Sequence, residues 1–341
     1  MNNLCRIFVC LLLSVLFCSG CNRGNNAGPT QRVVLYCSVD EVYAKPIIKR
    51  LEERTGLRID VLYDTEAAKT AGLANRIRAE KSRPRGDVFW SSALLQTLLL
   101  SREGLLQPYV SSSARYIPPP FKDSTGAWTG LGVRARVIVY HQSVKNPPRT
   151  LQDLLQPRFK GQAGISNPQF GTGSDWVAAL ATRQGADKTI AYFRALKKND
   201  VRVLAGNSMV AERVARGELM VGITDSDDFY AQAKKPASGI RVQSVATNSP
   251  DNVLVPGSVA ILKGAPNLKA AQQLVDALLD LDTEDELARI MPGVESTRRT
   301  PQNNTNSSFT FQLETAPADT AQWPASWDKV HEPLANILLG G

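Results

Sequence analysis

An α/β architecture with room for two lobes, its sheets covered by helices, follows from three features of this 341-residue sequence. From Val33 onward, short apolar runs alternate with amphipathic helical stretches, the pattern of strands joined by crossover helices. About 310 residues remain once the N-terminal leader is set aside, enough for two lobes at the usual ~100–200 residues each. Between the two α/β series lies Gly130–Tyr140, a run that alternates without interruption and is long enough to pass from one lobe to the other.

The leader comes first. Arg6 precedes the apolar run Ile7 to Phe17 and the small residues Ser19 and Gly20, the order of a secretory signal peptide. The run is too short to cross a bilayer, which takes roughly 20 apolar residues. Cys18-Ser19-Gly20-Cys21 is similar to a bacterial lipobox, so Cys21 is the expected lipidation site, with a plain signal peptide cut near Ala27 as the alternative. Either way the protein is expected outside the cytoplasm. Residues 21–31, rich in Asn and Gly, read as a tether that packs no core.

The first α/β series then runs in order. Arg32–Tyr36 reads as a buried strand. Val42–Arg54 has helical spacing at Ile47, Ile48 and Leu51 and stops at Thr55-Gly56, a C-cap signal. Arg58–Tyr63 alternates as a strand; Ala67–Glu80 carries Ala71, Ala74 and Ile77 on one helical face. Asp87–Trp90 is the next strand, followed by a helix through Leu94–Leu100. In Gly130–Tyr140, Val133, Ala135, Val137 and Val139 share one face, and Arg134, Arg136, Ile138 and Tyr140 the other. The second series places strands at Ala163–Ser166, Val201–Leu204 and Leu219–Thr224, with helices from Ser174, Asp187 and Ser208. Val253–Leu262 reads as a strand, Asn267–Leu281 as one amphipathic helix, and a short terminal helix is expected from Trp327 after an extended segment over 299–325.

Composition removes several function classes. Four of the five cysteines lie in the leader or at its end, so Cys37 has no intramolecular disulfide partner. The two histidines, His141 and His331, have no metal-ligand spacing, and no nucleophile–base motif is present. A formal net charge of +8 suits an anionic ligand, but the basic residues form no dense stripe interleaved with aromatics, which argues against nucleic acid. The expected protein is a binder, without catalytic residues or a catalytic cofactor.

Four polar clusters sit where strands end, the place at which open α/β sheets bind ligands. The first contains Tyr36, Ser38 and Asp40; the second Asp64 and Glu66. In both, capping of the following helix competes with ligand binding. The third, Phe170 to Trp176, holds Gly171, Thr172, Gly173 and Ser174 at a helix start, where backbone amides can face an anion. The fourth, Thr224 to Tyr230, holds Asp225, Asp227 and Asp228, whose carboxylates suit a hard cation or a helix N-terminus. Arg134 and Arg136 offer forked donors to an oxyanion or form a structural ion pair, and Trp90 either walls a cleft or packs in the core.

The order and spacing of Val33–Ser38, Asp87–Trp90, Gly132–Tyr140, Leu151–Leu154 with Phe159-Lys160-Gly161, Val221–Asp225 and Val259–Pro266 resemble the solute-binding proteins of bacterial ABC importers, in the branch of the periplasmic ferric-ion-binding proteins. The resemblance covers about residues 33 to 290. It implies the two-lobed periplasmic-binding-protein fold of type II: lobe 1 from 32–133 and about 246–295, lobe 2 from 134–245, and 296–341 packing on them. It also implies a protein that serves an ABC permease and its ATPase, expected as a monomer and, from the lipobox-like segment, lipid-anchored through Cys21, with ferric iron as cargo and phosphate or carbonate as companion anion on the helix start at Gly171–Ser174. Adjacent tyrosines hold the metal in that branch. Here Asp227 and Asp228 occupy those places, leaving Asp227, Asp228 and the nearby Tyr230 as metal candidates, with help from Tyr36 or Glu66. Two further readings of the cleft stay open: a phosphorylated or phosphonate organic solute bound without iron, its hydroxyl or amino groups held by the aspartates, and an envelope ligand sensor.

Overall fold

The computed structural model describes residues 31–64, 70–243, 251–298 and 320–339. The leader, Cys21, the tether, Glu66 and most of the 299–325 segment lie outside the described residues. Strand β1 (Arg32–Cys37) runs parallel to β2 (Arg58–Tyr63) on one side and β3 (Val88–Ser91) on the other. Between β1 and β2 lies helix α1 (Glu41–Thr55), which ends at Gly56 in the left-handed region at φ 70°, its N–H donating to the Glu52 carbonyl. Helices α2 (Ala71–Ala79) and α3 (Leu95–Arg102) flank β3. A two-residue strand, β4 (Leu106–Gln107), leads to β5 (Thr129–His141).

The second series is β6 (Ala163–Ser166), α4 (Gly171–Gln184), α5 (Ala186–Lys198), β7 (Arg202–Leu204), α6 (Asn207–Ala215), β8 (Val221–Asp225) and α7 (Ser226–Ala233), then β9 (Ile240–Gln243). The chain returns through β10 (Leu254–Leu262) and closes with α8 (Leu268–Leu278), α9 (Leu281–Ile290) and α10 (Trp323–Leu339).

The strand order is β2-β1-β3-β10-β5-β8-β6-β7, with β4 on β10 and β9 on β5. Two parallel groups are thus joined through two long antiparallel strands. Strand β5 makes the join: Thr129–Ala135 pairs with β10, and Arg136–His141 pairs with β8 and β9. Its alternation survives in the fold. Val133, Ala135, Val137 and Val139 enter the core shared with α1, α6 and α8, while Ile138 joins the core of α3, α4, α5 and α10. Arg134 and Arg136 face that second side but sit on either side of the point where β5 changes partners.

The structure departs from the sequence reading at five places. Short β4 and β9 carry too few alternating residues to stand out. The single helix expected over Asn267–Leu281 is two, because Asp280 turns out and accepts from the Asp282 amide to start α9. Helix α4 begins at Gly171, not Ser174, because a glycine accommodates φ 52° there. Helix α10 begins one turn before Trp327, since Trp323 is fully buried.

Candidate solute-binding cleft

A cavity of about 80 Å³ opens where the strands of both parallel groups end. Asp40 follows β1 and Ser92 follows β3. Ser166 and Asn167 close β6, and Phe170, Gly171 and Thr172 begin α4. The turn from Ala205 to Ser208 leads into α6; Asp225, Asp227 and Asp228 lie at the β8–α7 junction, and Arg134 reaches in from β5. Apart from Arg134, which comes from the middle of β5, these residues lie where a strand ends and the next helix starts.

Two buried ion pairs organise one wall. Arg136 and Asp225 are directly opposed in the β5–β8 ladder, and Arg136 Nη1 donates to Asp225 Oδ1 at 2.8 Å. Both side chains are almost wholly buried (2% and 1% exposed). The other Asp225 oxygen accepts from the Thr172 hydroxyl at 2.5 Å and from Asn207 Nδ2 at 2.9 Å, while Asn207 Oδ1 accepts from Arg136 Nη1 at 2.7 Å. Asn207 therefore knits α6, α4 and the ion pair together. Arg134 lies 3.3 Å from Asp227. Burial works against the Arg134 charge, but Asp227, Asp225, Asp228 and Asp40 hold its pKa above the ordinary value.

The carboxylates of Asp225, Asp227 and Asp228 place ligand oxygens within 4.8 Å of one another. At that spacing each pair repels by at least ~3 kcal/mol at an effective dielectric of about 20. With Asp40 added, four carboxylates face two guanidiniums, an excess of two negative charges in the cavity wall. Directly beside the acidic group lie the N-termini of α4 and α6, whose Thr172 and Asn207 bond to Asp225, with Ser166 and Ser208 next to them. The Ser166 hydroxyl is buried, and it has no hydrogen-bond partner among the described residues; the same holds for Arg136 Nε and Nη2. A Cβ on Gly173 would meet the Asn167 carbonyl at 2.6 Å, so this glycine lets the Asn167 turn press against α4.

Of the candidate residues, Asp40, Arg134, Gly171, Thr172, Asp225, Asp227 and Asp228 line the cavity, and Arg136 stands behind them. The others are placed elsewhere. Tyr36 is buried with its hydroxyl donating to Glu80 at 2.7 Å, because its position on β1 points it toward α2. Asp64 accepts from the Leu73 amide in the first turn of α2. Trp90 is a core residue at 1% exposure. Ser38 is spent on the Ser92 amide at 2.9 Å, and Ser174 on the Gly171 carbonyl at 2.7 Å. Tyr230 turns back onto the core beside Phe229, with ring centroids 5.2 Å apart, and does not line the cavity.

Ser92, Ser166, Asn167, Asn207 and Ser208 line the cavity without having stood out in the sequence, although Ser166-Asn167 and Gly206-Asn207-Ser208 carry the same strand-end signature as the recognised clusters. Tyr43 is a further neighbour. Burial, then the charges of Asp227, Asp40 and Asp228, raise its phenol pKa, so a phenol from α1 lies within reach of the acidic group's field.

Residues 89–312 match the model of the bacterial extracellular solute-binding proteins. The chain belongs to that family. Among its relatives, the iron uptake protein A1 of Synechocystis is 26% identical over 86% of this chain and 83% of that protein. The major ferric iron-binding protein of Neisseria meningitidis serogroup A is 23% identical over 76% of this chain and 78% of its own length. Iron-bound HitA from Pseudomonas aeruginosa superposes with a TM-score of 0.77 at 20% identity, over 91% of this chain and 100% of that one. AfuA from Actinobacillus pleuropneumoniae, with exogenous fructose-6-phosphate bound, does so with 0.73 at 23% identity, over 91% and 97%. These neighbours fix the two-lobed periplasmic-binding-protein fold. This member of the family is a binding protein of the importer type, not an enzyme. One fold carries both an iron-bound and a sugar-phosphate-bound protein, so the cargo has to be argued from the cleft.

Proposed function

We propose that the cleft captures ferric iron together with a small oxyanion and delivers the pair to an ABC permease driven by its ATPase. The observation that carries this reading is the make-up of the cavity lining: three clustered carboxylates and two excess negative charges, with the N-termini of α4 and α6 beside them. A lone dianion would meet the excess negative charge; a trivalent hard cation accepts oxygen ligands from Asp227 and Asp228 and relieves their repulsion. The companion anion, phosphate or carbonate, rests on the amides of α4 and α6 and takes the Ser166 hydroxyl. The size of the cavity, about 80 Å³, suits an ion with a small anion; typical organic ligands occupy roughly 300–1,000 Å³. The names of the relatives point the same way.

In this reading residues 32–133 and about 246–295 form one lobe and 134–245 the other, and a monomer tethered through a lipid on Cys21 stays close to its permease. One observation favours a second cargo. The same lining, carboxylates together with helix N-termini, matches an organic phosphate or phosphonate that carries an amino group. Thermal unfolding separates the two: ferric citrate with phosphate is expected to raise the melting temperature and 2-aminoethylphosphonate to leave it unchanged, since a ligand at 100 times its Kd stabilises by about 2.7 kcal/mol. A shift with the aminophosphonate alone transfers the site to the second cargo; no shift with either refutes the cleft assignment.

A further inference from the structure

The cavity lies where β1 and β3 end; a row of cations lies where they begin. Strands β2, β1, β3 and β10 are neighbours in that order. Arg58 is paired with Arg32, and Val88 with both Leu35 and Ile261. Arg32 and Arg85 each stand three residues before the Leu35–Val88 pair, and Lys263 stands two residues beyond Ile261 on the antiparallel strand. Arg58, Arg32, Arg85 and Lys263 therefore share one rim, about 15 Å across at ~4.8 Å per strand. Pro84 lies against Gly264, where an added Cβ would come within 3.1 Å of it, so the loops carrying Arg83, Arg85 and Lys263 touch. The acids here are engaged. Asp60 serves both Arg32 and Arg58, Glu80 is held by Arg76 and the Tyr36 hydroxyl, and Arg78 forks onto Glu103. Asp87 is buried and accepts from the Val34 amide and from the amide and side chain of Asn267. Lys81, Arg83, Arg85 and Lys263 are exposed and have no ion-pair partner among the described residues.

Among these cations is a depression of about 190 Å³, floored by Ile77, Leu105 and Leu262 and rimmed by Lys81, Arg85 and Lys263. An apolar floor inside a cationic rim is complementary to a phospholipid surface: the charged heads meet the phosphates, and the floor and aliphatic stems meet acyl carbons. The folded chain also begins at this rim. The Gln31 carbonyl accepts from the Arg58 amide at 2.9 Å, directly before β1. Gln31 stands ten residues after Cys21, a span of at most about 36 Å. We propose that this pole of the first parallel group docks on an anionic bilayer surface, with the cavity on the side away from the membrane. The part played by the tether rests on the reading of Cys21 as the lipidated residue; the chemistry of the pole does not. Each Lys or Arg brought near an anionic surface strengthens binding by about fivefold. Four unpaired cations around one depression thus suffice to orient a protein held close to the membrane.

The test needs no cargo and no anchor. Residues Gln31–Gly341 form a compact unit containing both hydrophobic cores, and that unit carries no lipid. Its flotation with vesicles of phosphatidylcholine alone is compared with its flotation with vesicles holding about 30% phosphatidylglycerol, at low and at physiological salt. Binding is expected on the anionic vesicles only, and weaker at the higher salt. The fourfold variant Lys81→Gln/Arg83→Gln/Arg85→Gln/Lys263→Gln should weaken it by about fivefold for each cation removed. A control removes four exposed cations of the second parallel group, Lys188→Gln/Arg194→Gln/Lys198→Gln/Arg202→Gln. It should leave binding nearly unchanged, since screening confines each charge to about 10 Å. Equal binding to both kinds of vesicle, binding to neither, or equal losses in the two variants overturns the proposal. Lipidation is read separately, from the mass of the N-terminal peptide of the full-length protein, so a failure of the anchor and a failure of the docking are told apart.

Discussion

Replacing Arg136 with Met tests whether the buried Arg136–Asp225 pair holds the cleft wall together. The substitution keeps the unbranched apolar stem and removes the guanidinium with its charge, leaving Asp225 buried with the Thr172 hydroxyl and the Asn207 amide as its donors among the described residues. Removing one partner of a buried pair costs about 3–5 kcal/mol, because the remaining charge has lost its compensation. Unfolding entropy of ~2.1 cal/mol/K per residue over the roughly 310 residues of the folded part sums to about 0.65 kcal/mol/K, so the melting temperature should fall by about 5–8 °C. Differential scanning calorimetry of the ligand-free protein at pH 7 reads this directly. The double variant Arg136→Met/Asp225→Asn removes the stranded charge as well and should recover most of the loss. A fall below about 1 °C for the single variant, or a double variant less stable than the single one, would refute the argument that an uncompensated carboxylate sets the cost.

Three other outcomes follow from the same geometry. Ser166→Ala should leave the melting temperature of the ligand-free protein unchanged, since its hydroxyl has no partner among the described residues, while weakening binding of ferric citrate plus phosphate by about 10- to 100-fold, the worth of a hydrogen bond to a charged group; calorimetric titration separates the two effects. Asp227→Ala with Asp228→Ala should weaken ferric binding by well over tenfold in the same titration, and equal affinity in variant and parent would remove the aspartates from the metal. Burial raises the Asp175 pKa to about 7 against the pull of the Leu94 and Leu95 amides. The folded protein therefore holds that proton more tightly than the unfolded chain, so this group's contribution is greatest at low pH and is lost as pH rises from about 4 to about 7. Asp175→Asn should flatten the stability curve in that window by a slope approaching ~1.4 kcal/mol per pH unit, measured by denaturant unfolding between pH 4 and 8.

Much of the fold was legible because its strands are bounded by clear signals. The alternation in Val133–Tyr140 placed β5 and its two faces, and Gly56 ended α1 where the C-cap pattern put it. What sequence periodicity did not reveal was which way a strand-end side chain points. Tyr36 and Asp40 belong to one cluster, yet β1 sends Tyr36 to Glu80 behind the sheet and Asp40 into the cavity. Trp90 and Ser92 divide in the same way. The acidic group at Asp225–Asp228 was visible as composition, but its division of labour was not: Asp225 is bound by Arg136, Thr172 and Asn207, three residues from three other elements. Tyr230 reads as a metal candidate by proximity alone, but its ring packs against Phe229 and the core. Asn207 was overlooked because its part depends on contacts with β5 and α4 that no local pattern encodes. The cap that Asp175 of α4 lends to the Leu94 and Leu95 amides at the start of α3 is of the same kind.

The most direct measurement is a crystal structure of the protein grown with ferric citrate and phosphate, with anomalous data collected across the iron edge. The account predicts a single strong iron peak bonded to carboxylate oxygens of Asp227 and Asp228, with an oxyanion between the iron and the amides of α4 and α6. An empty acidic wall, or an organic solute spanning the cleft with no iron peak, would contradict it.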